Sequence, residues 1–246
     1  MKPNYLKFDQ ISGRYITLDD VNSLVETLNP NLFEIETKEL SVEQRELKSI
    51  CFGKGTKKVL MWSQMHGNEG TTTKAVFDWL HELNTNTTYY EYISTHYTIC
   101  VLPMVNPDGS FYYQRENANK VDLNRDAYLL TQPESQFLRK WLVDFKPDLA
   151  LNLHDQRTIF GVGDTKYPAT VSFLAPAFNE QRDVNEVREI AMKLIAAMKK
   201  DLEQKIPNQI GRFDDSFNIN CIGDYVTSIG VPTILFEAGH YSGDYS

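Results

Sequence analysis

The chain has 246 residues, 41% of them hydrophobic and 24% charged, and a formal net charge of −8. That length holds one sizeable core, and α/β chains of this size are commonly one domain. An acidic chain without a Lys/Arg stripe excludes a nucleic-acid footprint, and no apolar run approaches the ~18 residues of a membrane span. Met1–Lys7 has no apolar h-region, so no secretory signal is read there. Cys51, Cys100 and Cys221 are widely spaced and odd in number, which predicts small, buried, reduced thiols in a cytoplasmic protein.

In chain order, Thr17 begins a capped helix whose apolar face is Leu18, Val21, Leu24, Val25 and Leu28, ended by Asn29-Pro30. Segments 32–38 and 47–53 read as strands, and Gly53-Lys54-Gly55 as a turn. Val59 to Trp62 reads as a buried strand that delivers His66, followed by a helix with Ala75, Val76, Trp79, Leu80 and Leu83 inside. The polar stretch 84–91 reads as a loop, and Tyr97 to Met104 as a strand ending at Asn106-Pro107-Asp108-Gly109. Residues 110–130 lack periodicity and read as a long functional loop. Thr131-Gln132-Pro133-Glu134 reads as a capping box with Pro at the first helical position, opening a helix with Phe137, Leu138, Trp141, Leu142 and Phe145 inside. Leu149 to Leu153 is a strand ending on His154, and 155–182 is loop-rich. Asn185 to Ile206 is the longest helix, with Val187, Ile190, Ala191, Leu194, Ile195, Met198 and Leu202 at helical spacing and its methionines expected in the core. Val231 to Phe236 is a last strand ending on Glu237.

Alternating strands and helices point to an α/β sheet covered on both faces. His66, Asn106, His154 and Glu237 each follow the C-terminal end of a predicted strand, the edge where open α/β sheets bind ligands. His66 and Glu69 stand at i and i+3 across a strand-to-helix turn that Gly67 allows, and both can face one cleft. Alone, such a pair fits a helix N-terminus with an incidental histidine. His154, flanked by Asn152 and Asp155 where a strand would stay apolar, completes a His2Glu set that leaves zinc one open position. Arg115, Asn124 and Arg125 around Asp122 suit a carboxylate clamp. Asp122 can instead orient a metal-bound imidazole through its second nitrogen. Glu237 ends an apolar strand, as a desolvated base or a strand-end residue facing solvent. His81 and His96 read as surface residues, and His240, at i+3 from Glu237, more as a pocket wall than a ligand.

His66-x-x-Glu69, Asn106-Pro107-Asp108-Gly109, Arg115-x-Asn117, Asp122-Leu123-Asn124-Arg125, His154 and Glu237 together resemble the zinc metallocarboxypeptidases of the carboxypeptidase A type, in the family's order. The resemblance implies a mixed, mostly parallel eight-stranded sheet sandwiched between helices, and one zinc per chain on His66, Glu69 and His154. It implies Glu237 as general base toward water and then proton donor to the leaving amine. Arg115 would polarise the scissile carbonyl, Asn124 and Arg125 would hold the substrate's terminal carboxylate, and Asp122 would bond the His66 ring. The substrate would be a peptide or other small molecule with a free carboxylate. The family's mobile tyrosine has no counterpart in Arg212-Phe213-Asp214-Asp215-Ser216-Phe217, and nine residues follow Glu237 where the family continues into a helix. The expectation is a single catalytic domain over 1–246, cut there or lacking that helix. The pocket floor is expected around Cys221 and Ile222, with Asp224 near, favouring an apolar or small C-terminal side chain.

The main rival resembles succinylglutamate desuccinylase and aspartoacylase, zinc deacylases of N-acyl amino acids with similar motifs. Asn106-Pro107-Asp108-Gly109 and the separate Arg115 favour the peptidase. A binding module without turnover is disfavoured by the full set of ligands and base.

Overall fold

The computed structural model describes residues 13–243, so Met1–Lys7 lies outside them. Thr17 caps α1 (Leu18–Val25): its hydroxyl accepts from the Asp20 N–H, and the Asp20 carboxylate accepts from the Thr17 N–H. The elements that follow are β1 (Glu34–Leu40), β2 (Glu46–Gly53), β3 (Lys57–Ser63), α2 (Thr71–Thr85), α3 (Thr87–His96), β4 (Tyr97–Leu102) and α4 (Pro107–Phe111). A short 3-10 turn (Leu123–Arg125) precedes α5 (Pro133–Phe145), β5 (Leu149–Asp155), β6 (Val171–Leu174), α6 (Glu186–Leu202), β7 (Ile210–Arg212), α7 (Ile222–Ser228) and β8 (Thr233–Ala238).

The described strands form one eight-stranded sheet in the order β1-β2-β4-β3-β5-β8-β6-β7. The run β4-β3-β5-β8 is parallel throughout, as is β6-β7; the remaining pairs are antiparallel. This is the mixed, mostly parallel sheet that the resemblance implies. Its central strands carry apolar residues to both faces because both are covered. Leu60, Trp62, Leu102 and Ala150 pack with Phe137, Leu138 and Leu142 of α5 and with Ile222 and Val226 of α7. On the other face Val59, Ile99 and Val101 pack with α1 and α2, while α6 lies over Phe173, Ile210 and Ile234. No helix among the described residues is long and apolar enough to cross a membrane.

Several expectations are corrected. The stretch 84–91 is not a loop: Asn86 accepts from the Tyr89 N–H and starts α3, whose Tyr90 and Ile93 pack on the core. Its run of Thr, Asn and Tyr hid the helical period. His96 ends that helix and is exposed, as expected, whereas His81 is half-buried. The capping box at Thr131 does not form. Asp126 takes the N–H and hydroxyl of Thr131 and the N–H of Gln132, and Glu134 turns inward to accept from Val42 N–H and Asn117 Nδ2. Two short strands were not expected: β6 lies in the stretch read as loop-rich, and β7 in a stretch given no element. They are too short for an alternation to show. In α6, Ile195, Met198 and Leu202 pack inward, but Ile190, Met192 and Leu194 are exposed, because the strands beneath offer a narrow surface.

The cysteines also differ from expectation. Cys51 and Cys100 form a disulfide, and Cys221 alone is free. The reason is topological. The sheet places β4, not β3, beside β2, so that Cys51 stands directly opposite Cys100 in the antiparallel ladder.

Candidate active site

β3 ends at Ser63, and the chain turns through Gln64 to Gly70 into α2. Gln64 adopts a left-handed backbone conformation, φ 49°, which Asn, Asp and Gly visit more freely than other residues. Its buried carboxamide secures the turn, with Nε2 donating to the carbonyls of Ile16 and Gly67 and Oε1 accepting from Thr73. At Gly67 a Cβ would lie 1.9 Å from the Gly109 carbonyl carbon, so only glycine lets the turn approach α4 this closely. Asn106 completes the brace. Its Oδ1 accepts from Gly109 N–H, and its Nδ2 donates to the carbonyls of Met65 and Arg115. The Asn106-Pro107-Asp108-Gly109 motif therefore acts on the site by holding the His66 turn and Arg115.

That turn brings His66 and Glu69 together with His154 from β5, all three buried. His66 Nδ1 lies 2.8 Å from Glu69 Oε1, His154 Nδ1 lies 2.9 Å from Glu69 Oε2, and the two Nδ1 atoms are 3.2 Å apart. Two imidazole nitrogens and a carboxylate converge on one point with their lone pairs facing each other. One cation of zinc type satisfies all three, so the donor set fits the metal. His66 Nε2 is 3.1 Å from Asp122 Oδ1, the carboxylate partner that fixes a ligating imidazole's tautomer.

Arg115 reaches the same point. Its Nε donates to Asp122 Oδ2 at 3.0 Å, and Nη1 lies 3.2 Å from His66 Nδ1 and 3.5 Å from Glu69 Oε1. Burial pushes the Glu69 carboxyl up, but hydrogen bonds and charge from His154 and His66 outweigh it and hold the group well below the usual carboxylate range. Asp122 is likewise held low, burial being outweighed by His66 and Arg115. Burial pushes the His154 ring down, toward the neutral form that binds metals.

Sheet register supplies the base. His154 and Glu237 are direct partners across the parallel β5–β8 pair, so their side chains rise side by side. Burial first, and the charge of Glu69 second, push the Glu237 carboxyl up to about 8. Asp155, next along β5, also borders the cavity, but its carboxylate caps α2, accepting from the N–H groups of Thr71 and Thr72. His240 is not part of the metal cluster.

Asn124 and Arg125 line the same cavity, which measures about 580 Å3. Asn124 Oδ1 accepts from Ile222 N–H and so ties the 3-10 turn to the start of α7, and Arg125 Nη1 donates to the Asn124 carbonyl. The structure thus gathers His66, Glu69, Arg115, Asn124, Arg125, His154 and Glu237 around one cavity, with Asp122 behind them. Sequence reasoning missed Gln64 as the residue that secures the turn. It noted Asn152 only as a flank of His154 and Asp224 only as a neighbour; both line the cavity. The signal for Asn152 was a polar residue at an inward position of an apolar strand.

A family model described as zinc carboxypeptidase matches residues 19–235. Carboxypeptidase 2 of Trichophyton rubrum is 30% identical over 155 residues, covering 60% of this chain and 28% of that protein. A metallo-carboxypeptidase from Burkholderia cenocepacia superposes with a TM-score of 0.72 at 16% identity, covering 92% of this chain and 60% of that one. Carboxypeptidase A from Helicoverpa armigera gives 0.70 at 19% identity, covering 94% and 66%. The two structures share the fold, and the match spans less than a third of the fungal relative's length.

Proposed function

The chain belongs to the zinc carboxypeptidase family, a family of zinc-dependent metallopeptidases, and from that premise we propose that it removes the C-terminal residue of a peptide. The observation that carries this reading is that a His2Glu cluster, a base on the neighbouring strand and an arginine clamp open into one cavity. A zinc ion there supplies Lewis acidity and makes water a nucleophile at neutral pH. Arg125, with Asn124, holds the free carboxylate and places the last peptide bond at the centre of the site. Arg115, steadied by Asp122, donates to the carbonyl oxygen as negative charge develops there. Glu237 takes a proton from the attacking water on its carboxylate and returns it to the leaving amine. Burial raises the Glu237 carboxyl, and a dication held by His66, Glu69 and His154 would favour its ionised form, as this role requires.

A deacylase of N-acyl amino acids would use the same clamp. The family match and the carboxypeptidase relatives favour the peptidase. The test is amino-acid release by the zinc-loaded protein from peptides with free C-termini, run beside acetyl- and succinyl-amino acids. Release from the peptides supports the reading; turnover confined to the acyl amino acids transfers the protein to the deacylases.

A further inference from the structure

The cavity extends beyond the metal cluster, and its further wall lies two rungs back along the same ladder, on the same face. Below His154 and Glu237, Asn152 of β5 pairs with Leu235 of β8, which in turn pairs with Leu174 of β6, and all three line the cavity. Leu235 and Leu174 suit an apolar side chain. Asn152 does not. It is fully buried, at 0% exposure, and neither its Nδ2 nor its Oδ1 has a hydrogen-bond partner in the protein. Asp224, also buried, lines the same cavity and accepts from Asn218 N–H at 2.7 Å. Between them stands Gly223. A Cβ there would lie 2.9 Å from Pro176 Cγ and 3.8 Å from Asn152 Nδ2, so any side chain at 223 would press on Pro176 and take up the space against Asn152.

A buried donor and a buried acceptor left unmatched are both costly, and a carboxamide presents both at once. The occupant of this pocket must therefore accept from Nδ2 and donate to Oδ1. An alkyl side chain does neither. An ammonium or guanidinium serves Oδ1 and Asp224 but leaves Nδ2 unmatched. A carboxylate serves Nδ2, leaves Oδ1 unmatched, and meets the acidic group of Asp224. A primary amide answers all three: its oxygen accepts from Asn152 Nδ2, and its two N–H bonds go to Asn152 Oδ1 and Asp224.

The geometry points to a C-terminal residue bearing a primary amide, glutamine or asparagine, as the preferred substrate end, with Asn152 as the residue that determines this specificity. The inference rests on the carboxypeptidase reading above and deepens it. It replaces the apolar or small side chain expected from the residues around Cys221.

The experiment compares kcat/KM of the zinc-loaded protein on one acyl-dipeptide series ending in Gln, Met, Lys or Glu, Met being the unbranched apolar counterpart of Gln. Gln should exceed each of the others by about 10-fold or more, since a site built to pair polar groups rejects analogues that lack them. In Asn152→Leu the Gln and Met values should change order. Leucine has nearly the same volume and removes two unmatched atoms, so this variant should fold, and its zinc content checks that it has. A second readout is calorimetric binding of free glutamine against free methionine. Preference of the wild type for Met, Lys or Glu, or an unchanged Gln-to-Met ratio in Asn152→Leu, overturns the assignment while leaving the carboxypeptidase reading intact. If no peptide is cleaved but glutamine binds over methionine through Asn152, the pocket stands and the peptidase reading falls. If no peptide is cleaved and glutamine has no advantage, both fall.

Discussion

In the proposed mechanism Glu237 is the general base, and that role can be separated from metal binding. It is not in the His66, Glu69, His154 cluster, so Glu237→Gln should keep full zinc occupancy. The amide preserves shape and removes the base, which should lower kcat by ~10²–10⁴-fold. Zinc content and single-turnover rates on the same preparation check this; a variant within a few-fold of wild type would assign the proton transfer elsewhere. Asp224 gives a pH-dependent test. Burial raises its carboxyl to about 6 from an ordinary value of 3.8. An acid with a raised folded pKa holds its proton more tightly folded than unfolded. Its stabilising contribution is complete below the ordinary value and is lost as pH rises through about 6. Asp224→Asn should therefore gain on the wild type between pH 4 and pH 7, by about 1–2 kcal/mol after solvent screening. Urea midpoints of the two metal-free proteins at both pH values measure it, and parallel profiles would contradict the burial argument. At this scale the sequence was legible where chemistry is written in short motifs, as in His66-Gly67-Asn68-Glu69 and Asp122-Leu123-Asn124-Arg125. Asn152 and Asp224 were not, because what matters about them is lost hydration, and that depends on which strands and helices close over them.

Elements bring these residues together through register. One parallel pairing, β5 with β8, sets His154 beside Glu237 and, two rungs back on the same face, Asn152 beside Leu235. Hydrophobic runs placed both strands, but no sequence pattern says that they are neighbours, since β6, α6, β7 and α7 separate them in the chain. The same limit explains the cysteines. Cys51 and Cys100 lie 49 residues apart, and only the crossing of β4 over to β2 makes them opposite. The cytoplasmic expectation leaned on reduced thiols and loses that support, because such a bond persists in oxidising surroundings. The cross-link constrains the unfolded chain, so reduction, or Cys51→Ala with Cys100→Ala, should cost ~2–4 kcal/mol. A lower stability in urea, with a steeper slope as the freed unfolded chain exposes more surface, would show it; identical stability would mean the bond adds nothing.

For the whole molecule, sheet and metal centre are one system. The cluster draws on the β3–α2 turn and on β5, in the middle of the sheet. Metal that binds the folded state alone stabilises it, by about 2.7 kcal/mol at a hundredfold excess over Kd. Chelation should lower the melting temperature of the wild type, whereas His66→Ala and His154→Ala should carry no stoichiometric zinc and show no such drop. Full zinc in both variants would contradict the ligand set. The overall architecture was legible because the family's motifs span residues 66 to 237 and the central strands announce themselves as apolar runs. The edge of the sheet was not, since β6 and β7 have four and three residues.

The central claim is that the site cleaves next to a free carboxylate, and one matched pair of substrates tests it most directly: a peptide acid and its C-terminal amide. Losing a hydrogen bond to a charged group costs about 1.5–3 kcal/mol, so zinc-loaded wild type should favour the acid by about 10–100-fold in kcat/KM. Arg125→Ala should raise KM for the acid and close that gap. Arg115→Ala should lower kcat on both, because its donor matters once charge develops on the carbonyl oxygen. Equal turnover of acid and amide by the wild type would contradict the account.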